Sequence, residues 1–216
     1  MTTTLVLRSA INVKKYRSKL RSPVTPNSER EMEYAQGIVK FFSLVNYQSF
    51  DFILLVDNTI SSIHDYPQEL RKILPESCEI IASNSNKFGK YNKGAGDIET
   101  YRYLFGRDKI TTKYTVHFEP RLQLSNSQIF ERFFKSPMSL LSLSMDRAGI
   151  QTGYMFLETS QLRKFCSLAR LISLVIKRQS IENHMLRFAK TKKIQILEGY
   201  YCSFRIDPLT RNLIEY

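Results

Sequence analysis

The stretch Phe52-Ile53-Leu54-Leu55-Val56, followed at once by Asp57-Asn58, decides how this chain is read. Five apolar residues run together without alternation, the mark of a strand covered on both faces. The polar pair at its carboxyl end sits where open α/β sheets place their ligands. Such a strand needs parallel neighbours and helices on either side, and the flanking sequence supplies both. Upstream, Thr4 to Ile11 reads as a first strand and 12–26 as a polar, basic stretch broken by Pro23 and Pro26. Ser28 and Glu31 then have capping-box spacing, and Met32, Ala35, Ile38, Val39 and Phe42 recur with helical period.

Downstream the alternation continues. A helix is predicted over Gln68 to Leu74, a strand over Glu79 to Ser83 and a polar loop over Asn84 to Asn92. Lys93-Gly94-Ala95-Gly96 opens a helix carried on by Asp97, Ile98, Tyr101 and Leu104. Lys113 to Glu119 reads as a strand stopped by Pro120, and Ser127 to Phe134 as a helix. Strands over Leu140 to Met145 and Gln151 to Glu158 precede helices over Ser160 to Arg178 and Ile181 to Ala189. Ile194 to Leu197 and Tyr200 to Ile206 read as closing strands. With no repeat, low-complexity tract or linker, residues 1–216 read as a single α/β domain, Rossmann-like, with a mostly parallel mixed sheet flanked by helices.

The composition, 43% hydrophobic and 24% charged, suits a folded domain that needs neither disulfides nor a metal staple. Leu168 to Ile176 is the longest apolar reach, but Arg170 interrupts it and it falls short of the roughly 20 residues a membrane span requires. Leu5-Val6-Leu7 before Arg8 is too short for the core of a secretory signal. Cys78, Cys166 and Cys202 are odd in number and form no C-x-x-C, as expected of free thiols in the cytoplasm. The formal charge of +12 suits nucleic acid, anionic lipid headgroups or phosphate-bearing small molecules. The basic residues are spread, with modest concentrations at Lys14 to Arg21, Arg163 to Arg178 and Arg187 to Lys193. In the second of these they interleave with Leu162, Phe165, Leu168, Ile172 and Ile176, a pattern that fits core packing or a helix lying on a membrane, here the inner membrane surface.

P-loop, dinucleotide, nucleophile-elbow and zinc signatures are all absent. What remains is an order of polar features at strand ends. The N-terminal strand-loop-helix carries Arg8-Ser9 and Asp57-Asn58 closes the second strand, while Lys93 with Gly94 and Gly96 at a helix start suits a diphosphate cradle. His117 and Glu119, two apart on one face of a strand, could both ligate Mn²⁺, whereas Mg²⁺ prefers oxygen alone. Arg121 follows them, and its forked guanidinium suits phosphate. Each feature also has a structural reading, as a strand terminus, a glycine turn, a cap or a solvated face.

In this order the chain resembles GT-A glycosyltransferases, with Leu5 to Ser9, Lys93 to Asp97, His117-Phe118-Glu119, Gln151-Thr152-Gly153 and Glu182-Asn183-His184 falling where that family has its donor-binding segments. The Arg21 to Arg30 text with Asn92 to Gly96 is similar to a group of bacterial surface-polysaccharide glycosyltransferases. The resemblance implies transfer of a sugar from a nucleotide-sugar donor to a glycan or lipid-linked acceptor in polysaccharide synthesis. It implies donor contacts from Arg8, Ser9, Asp57, Asn58, Lys93, Gly94, Gly96, Asp97, Arg121 and Gly153. It implies a divalent metal at His117 and Glu119, where the family carries two aspartates, and a base at Glu182 or Asp146. A GT-A-like protein that binds without catalysing, and a basic nucleic-acid-binding protein, are the competing expectations.

Overall fold

The computed structural model describes residues 1–13, 27–143, 149–169, 171–198, 203–206 and 213–215. Its first half runs β1 (Thr3–Ser9), α1 (Asn27–Leu44), β2 (Phe52–Asp57), α2 (Gln68–Lys72), β3 (Cys78–Ala82), α3 (Lys93–Gly106) and β4 (Tyr114–Phe118). Then come β5 (Gln123–Leu124), α4 (Gln128–Lys135), β6 (Leu140–Ser142), β7 (Tyr154–Glu158), α5 (Thr159–Leu168) and α6 (Leu171–Ile176). The chain continues through α7 (Ile181–Lys192), β8 (Gln195–Leu197), β9 (Ser203–Ile206) and β10 (Leu213–Glu215).

Seven strands form one sheet in the order β3-β2-β1-β4-β7-β6-β8. The four on the β3 side are mutually parallel, and β7 turns the sheet mixed by running antiparallel to β4. β5, β9 and β10 make a small second sheet that the sequence pattern does not announce.

Period-two alternation assigns the two faces. Leu5, Leu7, Ile53, Leu55, Val116 and Phe118 pack against Tyr34, Ile38 and Phe41 of α1 and Ile129, Phe130 and Phe133 of α4. Val6, Leu54, Val56, Met155 and Leu157 pack on the other side against α3, α5, α6 and α7. Each fully buried side chain of this size contributes about 1.5–3 kcal/mol from water exclusion alone, so the two cores dominate the stability.

Register then decides what meets at the carboxyl edge. Leu7 pairs with Leu55 and Phe118, so Arg8 and Ser9 of β1, Asp57 of β2 and Glu119 just past β4 emerge at one end. Arg8, His117 and Glu119 share the α3 side of the sheet with Val6.

One expected helix differs. Ser160 to Arg178 is two helices, because Ala169 between α5 and α6 is extended at φ −63° and ψ 125°. No proline or glycine marks the break. Instead Arg102 of α3 donates from Nε to the Cys166 carbonyl at 2.9 Å and from Nη2 to the Ala169 carbonyl at 2.8 Å, taking up carbonyls that helix continuation would use. The motif residues Arg21, Ser22, Thr25 and Pro26, and the base candidate Asp146, lie outside the described residues.

Candidate active site

The site is built where β1, β4 and the start of α3 converge. Asn92 caps α3, its Oδ1 accepting from the Ala95 amide at 3.0 Å, and thereby fixes Lys93 as the first helical residue. Lys93 Nζ donates to Glu119 Oε2 at 2.9 Å, with more than half of its side chain in solvent. Arg8 lies beneath, its Nη1 2.5 Å from Asp97 Oδ1 and 3.9 Å from Glu119 Oε2. Arg121 approaches from the other side, Nη1 4.0 Å from Glu119 Oε1, while its Nε donates to Glu33 Oε2 at 2.6 Å. Three cations thus surround one carboxylate, and all but Lys93 are buried.

The electrostatics follow from that crowding. Burial alone would raise the Glu119 carboxyl, but Lys93, Arg8 and Arg121 outweigh it and hold the group well below the usual carboxylate range. Burial would lower the Arg8 guanidinium, and Asp97 and Glu119 instead raise it. Asp97 behaves oppositely. Its contact with Arg8 is close but not aligned as a hydrogen bond, and burial pushes the carboxyl up to about 6 against the pull of Arg8 and Lys93. Glu119 and Glu182 add to the rise by like-charge repulsion.

His117 is buried and its Nδ1 meets the Tyr101 hydroxyl at 2.7 Å. Burial first, then the positive charge of Arg8, lowers its pKa to about 3, so the ring is neutral at physiological pH. A small, partly enclosed cavity of about 10 Å³ lies beside it, lined by Asp97, Tyr101, Thr152 and Met185 among others, space for about one water and none for a sugar. Any larger ligand therefore meets the cluster from the solvent side, through Lys93.

The fit to a divalent metal is poor. Tyr101 takes the Nδ1 of His117 and leaves only Nε2 as a donor, and Glu119 faces three cations that a metal would have to displace or repel. Among the described residues no three His, Cys, Asp or Glu side chains converge as a metal-binding group. Guanidinium and ammonium groups can neutralise a phosphate without any such donor set.

Other expected site residues have more local employment. Asp57 is wholly buried and accepts from Ser9 Oγ, the Ile11 amide, the Thr59 amide and Thr59 Oγ1 at 2.6–2.8 Å. Asp57 and Ser9 therefore bind the ends of β1 and β2 to each other rather than facing a ligand, because every oxygen of that carboxylate is already satisfied. Asn58 donates weakly to the Gly96 carbonyl at 3.4 Å, and its Oδ1 finds no hydrogen-bond partner.

The glycines of α3 serve close packing. A Cβ at Gly94 would lie 2.6 Å from Ile181 Cβ, and one at Gly96 would touch Asn58 and Gly89 at 3.1 Å. The Gly96 amide donates to the Asn92 carbonyl at 3.2 Å, so together with the capped Ala95 it does not point outward as a phosphate cradle would require. Gly153 lets Leu122 approach, and its carbonyl accepts from the Glu119 amide at 2.7 Å, orienting that residue. Glu182 accepts from Thr152 Oγ1 at 3.2 Å at the edge of the cluster.

Sequence reasoning missed Glu33, Tyr34 and Arg30, which α1 brings over the loop after β4. Tyr34 donates no signal of its own in the sequence, since its helical position reads simply as core. Its hydroxyl accepts from the Ala10 amide at 2.9 Å, and Arg30 Nε donates to the Ala10 carbonyl at 2.9 Å, pinning the chain beyond β1. Only Gly37 hints at this approach: a Cβ there would lie 1.4 Å from the Pro120 carbonyl oxygen. Tyr101 reads equally as a core aromatic, and its pairing with His117 required the fold.

No protein-family model matches the sequence, and neither does any curated protein. Solved structures do match. A protein assigned as a nucleotide-diphospho-sugar transferase from Desulfovibrio desulfuricans G20 superposes with a TM-score of 0.56 at 7% identity, over 92% of this chain and 80% of its own. The 4-diphosphocytidyl-2C-methyl-D-erythritol synthase of Anaerococcus prevotii DSM 20548 gives 0.52 at 7% identity, over 93% and 88%. A cytidylyltransferase of Leptospira borgpetersenii serovar Hardjo-bovis gives 0.50 at 13% identity, over 100% and 82%. At such identities the likeness is one of fold. The chain therefore has the GT-A-like α/β fold that nucleotide-diphospho-sugar transferases and cytidylyltransferases share.

Proposed function

We propose that this chain is a glycosyltransferase that takes a sugar from a nucleoside-diphosphate donor and passes it to a glycan or lipid-linked acceptor. The observation that carries this reading is the set of cations, Lys93, Arg8 and Arg121, gathered around Glu119 at the carboxyl edge of a sheet of this fold. In the reaction the anomeric carbon–oxygen bond breaks and its electron pair leaves with the nucleoside diphosphate. Lys93, the most exposed of the three cations, meets the developing charge, with Arg8 and Arg121 behind it. The acceptor oxygen bonds to the anomeric carbon, and its proton passes to a carboxylate, for which Glu182 is our candidate. Glu119 keeps the three cations together in the free chain; no step passes through a metal.

A second reading has its own support. Arg8 and Lys93 already have internal carboxylate partners, which suits a GT-A-shaped protein that holds a nucleotide without transferring a sugar. Hydrolysis or transfer of a nucleotide-sugar by the wild type, lost in Glu182→Gln, would eliminate it. Because the fold is shared with cytidylyltransferases, pyrophosphate release from nucleoside triphosphates should be followed in parallel.

The first test is thermal unfolding in the presence of uridine, guanosine, cytidine and thymidine diphosphates, with and without a chelator. Our reading expects at least one to stabilise the protein, by about 2.7 kcal/mol at a hundredfold excess over its Kd, and the chelator to change nothing. If none of the four shifts the transition, the reading fails.

A further inference from the structure

Three aliphatic side chains stand in solvent within one short reach: Leu168 at the end of α5, 62% exposed, and Ile172 and Ile176 of α6 at 61% and 72%. Ile172 and Ile176 are four residues apart and so share a face, while Leu171 and Leu174 on the opposite side are buried. Elsewhere Ile63, Tyr91 and Met138 fall singly, and the exposed Met32 and Val39 of α1 stand two turns apart.

The surroundings carry one sign of charge. From Thr159 to Ile181 the sequence holds no Asp or Glu but has Arg163, Lys164, Arg170, Lys177 and Arg178. Arg163, Lys164, Lys177 and Arg178 are exposed, and Lys164 is four residues before Leu168 on the same helical face. Lys192 of α7 reaches Lys164, and this neighbour lowers the Lys192 ammonium pKa. Two neighbouring ammonium groups on an exposed surface favour an anion beside them.

We propose that Leu168, Ile172 and Ile176, rimmed by Arg163, Lys164, Lys177, Arg178 and Lys192, form a docking face for an anionic lipid bilayer. The aliphatic side chains enter the boundary between headgroups and acyl chains, and the cations meet the lipid phosphates. Charge complementarity argues for this occupant over a second copy of the chain, which would set these cations against like charges across an apolar contact.

The backbone of α6 is tied to the start of α3. The Asn92 side chain that caps α3 also donates from Nδ2 to the Leu174 carbonyl at 3.0 Å and to the Gln179 carbonyl at 3.5 Å. Bilayer binding itself does not depend on the transferase reading, and the two are tested by separate assays.

The experiment is flotation of the whole chain with vesicles of phosphatidylcholine alone or with a quarter phosphatidylglycerol. The wild type is expected to float with the anionic vesicles, to stay behind with the neutral ones and to be released by high salt. Ile172→Asn/Ile176→Asn should weaken flotation at least tenfold, and Lys164→Glu/Lys177→Glu by about fivefold or more per residue. Because all four positions are exposed, both variants should unfold within a few degrees of the wild type, which separates lost docking from lost folding. Absence of flotation with either vesicle, or equal flotation of the Ile172→Asn/Ile176→Asn variant, overturns the proposal. So does self-association of the wild type that the same variant abolishes, an outcome that would assign the face to a second copy.

Discussion

Replacing Glu119 by Gln keeps the shape of the side chain and removes the charge on which the cluster depends. The carboxylate lies 2.9 Å from Lys93, 3.9 Å from Arg8 and 4.0 Å from Arg121. At an effective dielectric of about 20, each pair near 4 Å is worth about 4 kcal/mol in Coulomb terms, most of it offset by the cost of burying the charges. Removing one partner leaves that cost uncompensated, and losses of about 3–5 kcal/mol are typical of buried pairs. For a domain of this size about 1 kcal/mol lowers Tm by roughly 2–4 °C, so Glu119→Gln should unfold about 10 °C below the wild type. Lys93→Met is the control: its ammonium is more than half exposed, and its loss should cost about 1 kcal/mol or less. Circular dichroism melts at neutral pH read both. A Glu119→Gln protein within 2 °C of the wild type would refute the claim that this carboxylate holds Arg8 and Arg121 in place.

Two further consequences concern the same neighbourhood. His117 has a pKa of about 3 in the folded chain against an ordinary 6.5, so the unfolded chain binds more protons between those values and stability is lost as pH falls through that window. The loss should approach about 1.4 kcal/mol per pH unit. Asp97, raised to about 6, binds its proton more readily when folded and opposes the trend below pH 6. The pH profile of the wild type minus that of His117→Gln isolates the histidine; a flat difference would mean that the ring is not held neutral. In Gly37→Ala the added methyl meets the Pro120 carbonyl oxygen, which is backbone and cannot swing aside. A loss of about 1–3 kcal/mol is expected in urea melts, and an unchanged midpoint would show that α1 does not press on the loop carrying Glu119 and Arg121.

Much of the architecture was legible because continuous burial leaves a direct trace. Phe52 to Val56 declared a strand covered on both sides, and the observed β2 differs from that reading only by including Asp57. Lys93 as the opening of a helix was equally readable, since Asn92 and the glycines that follow supply a cap and close packing. The shared face of His117 and Glu119 followed from strand periodicity. What they do did not, because it depends on partners delivered by other elements: Tyr101 for the one, Arg8 and Lys93 for the other.

The pairing of Arg121 with Glu33 spans 88 residues and joins a loop to a helix, a contact no local pattern encodes. The extended Ala169 was hidden for a related reason. The apolar period runs through it undisturbed, and the helix ends because Arg102 reaches in from α3. Asp57 misled in the opposite sense: an acid at the carboxyl end of a buried strand looks like a ligand residue, and its four internal hydrogen bonds become visible only with the turn that supplies them.

Calorimetric titration of a nucleoside diphosphate into the wild type and into Lys93→Met, both in chelator, tests most directly whether these cations receive a diphosphate. A charge-assisted contact of this kind is worth about 1.5–3 kcal/mol, so the variant should bind roughly ten- to a hundredfold more weakly, and the wild type should bind without added metal. Equal affinity in the two proteins, or wild-type binding that appears only when a divalent metal is supplied, would contradict the account.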